Sequence, residues 1–121
     1  MSFAFNASDN AFNYGGGWTN LSSNGTGFNP WGFTTDANDT VEIADSTVGA
    51  GNINTDTNSF RLASDNGGEL DVLRSFGGSA SLGASDVFSF DLSVNYRNGR
   101  KGFDLRNAGT GLFNFNVGNE N

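Results

Sequence analysis

Neither cysteine nor histidine occurs in the 121 residues. Without cysteine there is no disulfide and no thiolate nucleophile. Without either residue, zinc sites of the thiolate and imidazole type and Ser-His-Asp catalysis are excluded. The missing cysteine is neutral as to compartment. Proline occurs once, so turns fall to glycine and asparagine. Basic residues are scarce, 6 against 13 acidic, for a net charge of −7. That balance argues against a nucleic-acid partner. No apolar run reaches the ~20 residues of a membrane-spanning helix, so no membrane insertion is expected. Met1-Ser2-Phe3-Ala4-Phe5-Asn6 has neither a positive start nor an apolar run, and it reads as carrying no signal peptide.

What is abundant is glycine, at 18, and phenylalanine, at 12. Phenylalanine predicts an aromatic core. Gly, Asn, Ser and Thr suit short strands joined by tight turns and are poor helix formers. The clearest pattern runs over residues 87–117. Phe88, Phe90, Leu92, Val94 and Tyr96 alternate with Ser89, Asp91, Ser93 and Asn95, the period-two mark of a half-buried strand. Asn98-Gly99 then signals a two-residue hairpin. It would set Val94 against Phe103, Leu92 against Leu105, and Asp91 against Arg106. A three-residue loop at Ala108-Gly109-Thr110 would next pair Leu105 with Phe113 and Phe103 with Phe115.

Further short strands are predicted around Phe3 and Phe5, Phe33 to Thr35, Val41 and Ile43, Phe60 and Leu62, and Leu70 to Phe76, entered by a Gly67-Gly68 turn. A short piece at Ala80 to Leu82 follows. Residues 7–38 read as irregular loops pinned by Trp18, Phe28, Trp31 and Phe33. Seven to nine short strands at this length predict an all-β fold, an antiparallel two-sheet β-sandwich in one domain spanning residues 1–121. No fixed-period repeat points to a solenoid.

Few residues invite chemistry. Glu69-Leu70-Asp71-Val72-Leu73-Arg74 compares with the carboxylate-bearing strand of laminarinase-type glycoside hydrolases. The last carboxylate is replaced by Arg74, and only Glu42 and Glu120 remain as other glutamates. A retaining glycosidase needs two carboxyls flanking the bond, so the strand reads as a charged face and the chain as no enzyme. Asp36, Asn38 and Asp39 form an oxygen-rich cluster, as do Asp65 and Asn66. Ca²⁺ is the cation such loops take, although Asx side chains more often cap their own turns. No other cofactor is implied. Four Asn-x-Ser/Thr sequons, at Asn6, Asn20, Asn24 and Asn38, match what this composition gives by chance. Trp18 and Trp31 would stack on a glycan if exposed, or plug the core if buried. Arg97, Arg100, Lys101 and Arg106 gather beside Asn98-Gly99, giving one basic tip on an acidic body.

Two stretches carry a resemblance. One is Gly16-Gly17-Trp18-Thr19-Asn20 with Asn24-Gly25-Thr26-Gly27-Phe28-Asn29-Pro30-Trp31. The other is Phe88-Ser89-Phe90-Asp91-Leu92 with Asn98-Gly99, Gly102-Phe103-Asp104-Leu105-Arg106-Asn107 and Leu112-Phe113-Asn114-Phe115. Together they resemble the concanavalin A-like (laminin-G-like) β-sandwich modules of bacterial secreted and surface proteins. The resemblance implies a jelly roll and an extracellular or cell-surface location, and it carries over no catalytic residue. Such modules continue for several strands past the Phe-x-Phe strand, so this chain reads as a short or truncated version with an unpaired edge. An open edge is a template for another chain. With the basic tip, it predicts a structural protein that self-associates into a homo-oligomer, filament or layer. The alternative is a carbohydrate-binding module using Trp18, Trp31 and Ca²⁺.

Overall fold

The computed structural model describes residues 5–48, 53, 57–64, 68–96 and 98–118. Phe3, Asp65, Asn66, Gly67, Arg97 and Glu120, which the sequence reading used, lie outside them. Among the described residues the chain is all-β, with one short 3-10 turn, Ala11–Tyr14. Six strands follow: β1 (Gly32–Thr34), β2 (Thr40–Asp45), β3 (Asn58–Ala63), β4 (Asp71–Leu73), β5 (Lys101–Asn107) and β6 (Thr110–Val117). They pair antiparallel as β1 with β4, β2 with β3, and β5 with β6. These are three two-stranded sheets.

The short alternating segments behave as their pattern dictates. Val41 lies opposite Leu62, Ile43 opposite Phe60 and Glu42 opposite Arg61. The two charges form an ion pair across the strands. Both side chains are about half exposed, so the pair contributes roughly 0–1 kcal/mol. Phe33 lies opposite Val72.

The core gathers on Trp18, which is buried at 3% exposure together with Ala11 and Tyr14. The Trp18 ring lies 4.5 Å from Phe60, 5.0 Å from Phe33 and 5.2 Å from Trp31. Tyr14 meets Phe60 edge-on at 5.3 Å. A second ring group joins Phe5, Phe28 and Phe76, where Phe28 and Phe76 form an isolated bridge. Gly27, at φ +72°, sits beside it. A side chain there would strike the Asn6 carbonyl and Ala7, so only glycine fits.

The last hairpin keeps the expected facing pairs by another route. Leu105 does pair with Phe113 and Phe103 with Phe115. The loop, however, has two residues, Ala108 and Gly109, at φ +47° and +86°, because Asn107 pairs with Thr110. These angles suit a type I′ turn, whose twist matches the strands. The extra residue is absorbed in the ladder. Arg106 pairs with Gly111 and Leu105 with Phe113, leaving Leu112 over as a bulge.

The expected first strand of the meander is absent. None of residues 86–96 is in a strand, and neither are Phe5 or residues 80–82. The turn explains the former. A type I′ hairpin needs positive φ at both central residues. Gly99 has φ +75°, but Asn98 is not in that region. The segment instead lays its rings on the hairpin face, with Phe90 4.1 Å from Phe103. The Asp91–Arg106 pair is therefore not formed. Arg106 turns to Asp104 on its own strand, Nη2 donating at 2.7 Å.

Candidate functional site

Two places concentrate side chains: a buried polar knot in the first half and an exposed aromatic face in the second. The knot is built around Arg74, just past β4. Its Nη1 forms an ion pair with Asp9, Nε donates to the Asn29 carbonyl at 2.7 Å, and Nη2 donates to the Asn24 carbonyl at 2.7 Å. Tyr14 Oη donates to Asp9 Oδ2 at 2.6 Å and accepts from Trp31 Nε1 at 2.9 Å. Asn13 Nδ2 donates to the other Asp9 oxygen at 3.1 Å. The guanidinium also lies 4.9 Å from the Phe28 ring and 5.2 Å from the Trp31 ring, so one cation touches both ring groups.

Burial first, and then the bond to Asp9, raise the Tyr14 phenol above its usual range. Every strong donor of Arg74 has a partner within the fold. The knot is therefore a fastener among four segments. In the sequence Arg74 stands as a residue of the strand predicted over Leu70 to Phe76, at the place where a glycosidase strand would carry a carboxylate. Its partner Asp9 stands 65 residues away, and no spacing rule reaches that far.

The aromatic face belongs to β5 and β6. Phe103 and Leu105 alternate on one strand, and Phe113 and Phe115 on the other. Phe88 and Phe90 lie against Phe103. Phe88, Phe90, Phe103, Leu105 and Phe113 line a cleft of about 380 Å³. The cover is thin. Phe113 is 52% exposed, and Phe90, Leu92 and Phe115 are each 44% exposed. The opposite face is polar and tied together. Asp104 accepts from Arg106 and Asn114, and Asn116 donates to Asn114 at 2.6 Å. The Arg106 bond, followed by the Asn114 bond, holds the Asp104 carboxyl below its usual range. Gly102 permits the close approach of β5 to β6, since a Cβ there would collide with the Phe115 carbonyl.

The sequence-predicted site residues are scattered. Trp18 is buried and presents no free ring face. Trp31 is partly buried, its N–H taken by Tyr14. A second concavity, about 460 Å³, is lined by Tyr14, Trp18, Thr19, Glu42 and Asn58 among others. Asp36 and Asp39 close a turn on themselves, the Asp36 N–H donating to Asp39 Oδ2 at 2.6 Å. Asn38 is exposed beside them. Among the described residues no three acidic side chains gather into a metal-binding group. At the basic tip Arg100 is exposed and Lys101 half-buried, with Lys101 Nζ donating to the Asn98 carbonyl. Comparison with known proteins finds no matching family model, curated protein or solved structure.

Proposed function

We propose that this chain is a non-enzymatic structural module that associates with copies of itself, at the cell surface or outside the cell, as a subunit of a filament or layer. The observation that carries this reading is the half-covered aromatic face of β5 and β6. An apolar patch of several hundred Å² is of the size that often serves as an interaction site. A lone two-stranded hairpin is also marginal in water unless one face is packed. A partner molecule meets both needs.

Magnitudes decide what else must contribute. Covering the exposed remainder of about five rings removes roughly 400 Å² of apolar surface, worth ~10 kcal/mol gross. Association costs about 4–15 kcal/mol in lost freedom. The face alone therefore roughly breaks even, and additional contacts must decide the balance. The basic tip is one source. Arg100 and Lys101 form no ion pair with described residues, whereas the body is acidic. A tip-to-body contact joins unlike surfaces, and repetition of such a contact extends rather than closes. The resemblance to concanavalin A-like modules supports the extracellular location and a jelly-roll arrangement of the sheets.

The test compares the natural chain with Phe113→Ser/Phe115→Ser by electron microscopy and light scattering. Polymers or oligomers from the natural chain, lost in the double variant, are the expected result. Equal assembly by both would remove the aromatic face from the mechanism.

The cleft beside Trp18 favours a second reading, a carbohydrate-binding module. Glu42, Asn58 and Thr19 would supply hydrogen bonds there, with Trp18 among the lining residues. Glycan binding abolished by Glu42→Ala/Asn58→Ala would support it. A calcium requirement would appear as binding lost on chelation and restored by Ca²⁺.

A further inference from the structure

We propose that residues 87–96 of one copy add as an antiparallel strand to the outer edge of β5 in a second copy. This deepens the self-association reading and rests on it. Three observations bring donor and acceptor together. First, β5 pairs only with β6 among the described residues, so no described strand covers its other edge, and an uncovered edge is a template for a further strand. Second, residues 88–96 have strand alternation throughout yet form no strand in their own molecule. Val87 and Tyr96, at its ends, are 86% and 71% exposed. Third, the connection to β5 lacks the two positive φ values that a tight hairpin within one chain needs, because Asn98 does not adopt one. A segment arriving from another molecule has no turn to make.

Charge selects the register. Val94 opposite Phe103 and Leu92 opposite Leu105 put the apolar side chains on the aromatic face. That alignment sets Asp91 opposite Arg106, whose guanidinium already holds Asp104. The arginine then lies between two carboxylates. Sliding the donor by two residues keeps an apolar match, Leu92 on Phe103 and Phe90 on Leu105. It also places Asp91 opposite Asp104, a destabilising like-charge pair. The added strand supplies backbone hydrogen bonds that the aromatic face cannot, with side-chain pockets giving specificity.

The absence of cysteine makes a thiol test clean. Full-length Leu92→Cys and Leu105→Cys chains are mixed under mild oxidation, beside a mixture of Ser93→Cys and Leu105→Cys, in which the thiols would face opposite sides of the sheet. The interchain disulfide is expected in the first mixture and absent from the second. Leu92→Pro and Ser93→Pro are then tested in turn. Adjacent N–H groups point to opposite sides, so one of the two must remove a ladder donor. That variant is expected to lose assembly while keeping the circular dichroism of the natural chain.

Chains that assemble with no Leu92–Leu105 crosslink, or that assemble equally with both prolines, would overturn the strand addition and leave self-association by the aromatic face standing. A disulfide formed only inside a doubly substituted monomer would overturn it too, by showing the segment closing on its own edge. Chains that stay monomeric at every concentration would end both readings.

Discussion

Arg74 illustrates how a single residue can settle the fate of a whole segment. Its side chain and that of Asp9 are 5% and 7% exposed. Breaking such a buried pair from one side leaves an uncompensated charge, at a cost of ~3–5 kcal/mol. Arg74→Ala is therefore expected to lower the thermal midpoint sharply, as read by differential scanning fluorimetry. Tyr14 makes a separate, pH-dependent contribution. Its phenol is raised, mainly by burial, so the folded state holds the proton more tightly than the unfolded chain. That stabilisation is fully present below the ordinary tyrosine range, about pH 10. It is lost as pH rises through the shifted value. A midpoint that falls more steeply above pH 10 in the natural chain than in Tyr14→Phe would confirm it; identical alkaline profiles would contradict it. Asp104 acts in the opposite sense, being lowered by Arg106, so its contribution is lost as pH falls through the acid range. None of these links was legible in the sequence. The Arg74–Asp9 pair spans 65 positions, and the short-range bonds of Tyr14 to Asp9 and of Arg106 to Asp104 follow no cap, turn or period.

At the scale of elements the legibility was uneven, for physical reasons. β2 and β3 were readable because each has apolar residues two apart, with Glu42 and Arg61 free to meet on the other side. The facing pairs of β5 and β6 were readable for the same reason. The loop between them was not. Ala108 carries no turn signal, yet it takes φ +47°, and a bulge at Leu112 restores the register that a two-residue turn would otherwise flip. A non-glycine residue in that conformation costs roughly 1 kcal/mol. Ala108→Asn, which creates the favoured Asn-Gly turn, should raise stability by about 0.5–1 kcal/mol in urea unfolding. Gly102→Val should do the reverse, because its side chain meets the Phe115 backbone. The alternation over residues 88–96 was misleading by itself. Period two shows that a segment can be a strand, while the adjoining turn and available edges decide whether it becomes one within its own molecule. The candidate sites fared similarly. Trp18 reads equally well as platform or plug from sequence, and only the packing of Phe33, Trp31 and Phe60 around it resolves the choice in favour of the core.

The whole molecule divides its aromatic surface unequally. The first half closes its rings around Trp18 and fastens them with Arg74. The second half leaves Phe88, Phe90, Phe113 and Phe115 between 39% and 52% exposed. A net charge of −7 keeps bodies apart in solution, while the tip at Arg100 and Lys101 offers the complementary sign. Arg100→Glu/Lys101→Glu should therefore weaken assembly and remove much of its sensitivity to salt, since exposed charges are screened over about 10 Å at 0.1 M. Turbidity across a salt series reads both effects. The most direct measurement is sedimentation velocity of the natural chain over a concentration series. Self-association by the hairpin face predicts a sedimentation coefficient that climbs with concentration, and a Phe113→Ser/Phe115→Ser chain that stays at the monomer value. A natural chain that sediments as a monomer at every concentration would contradict it.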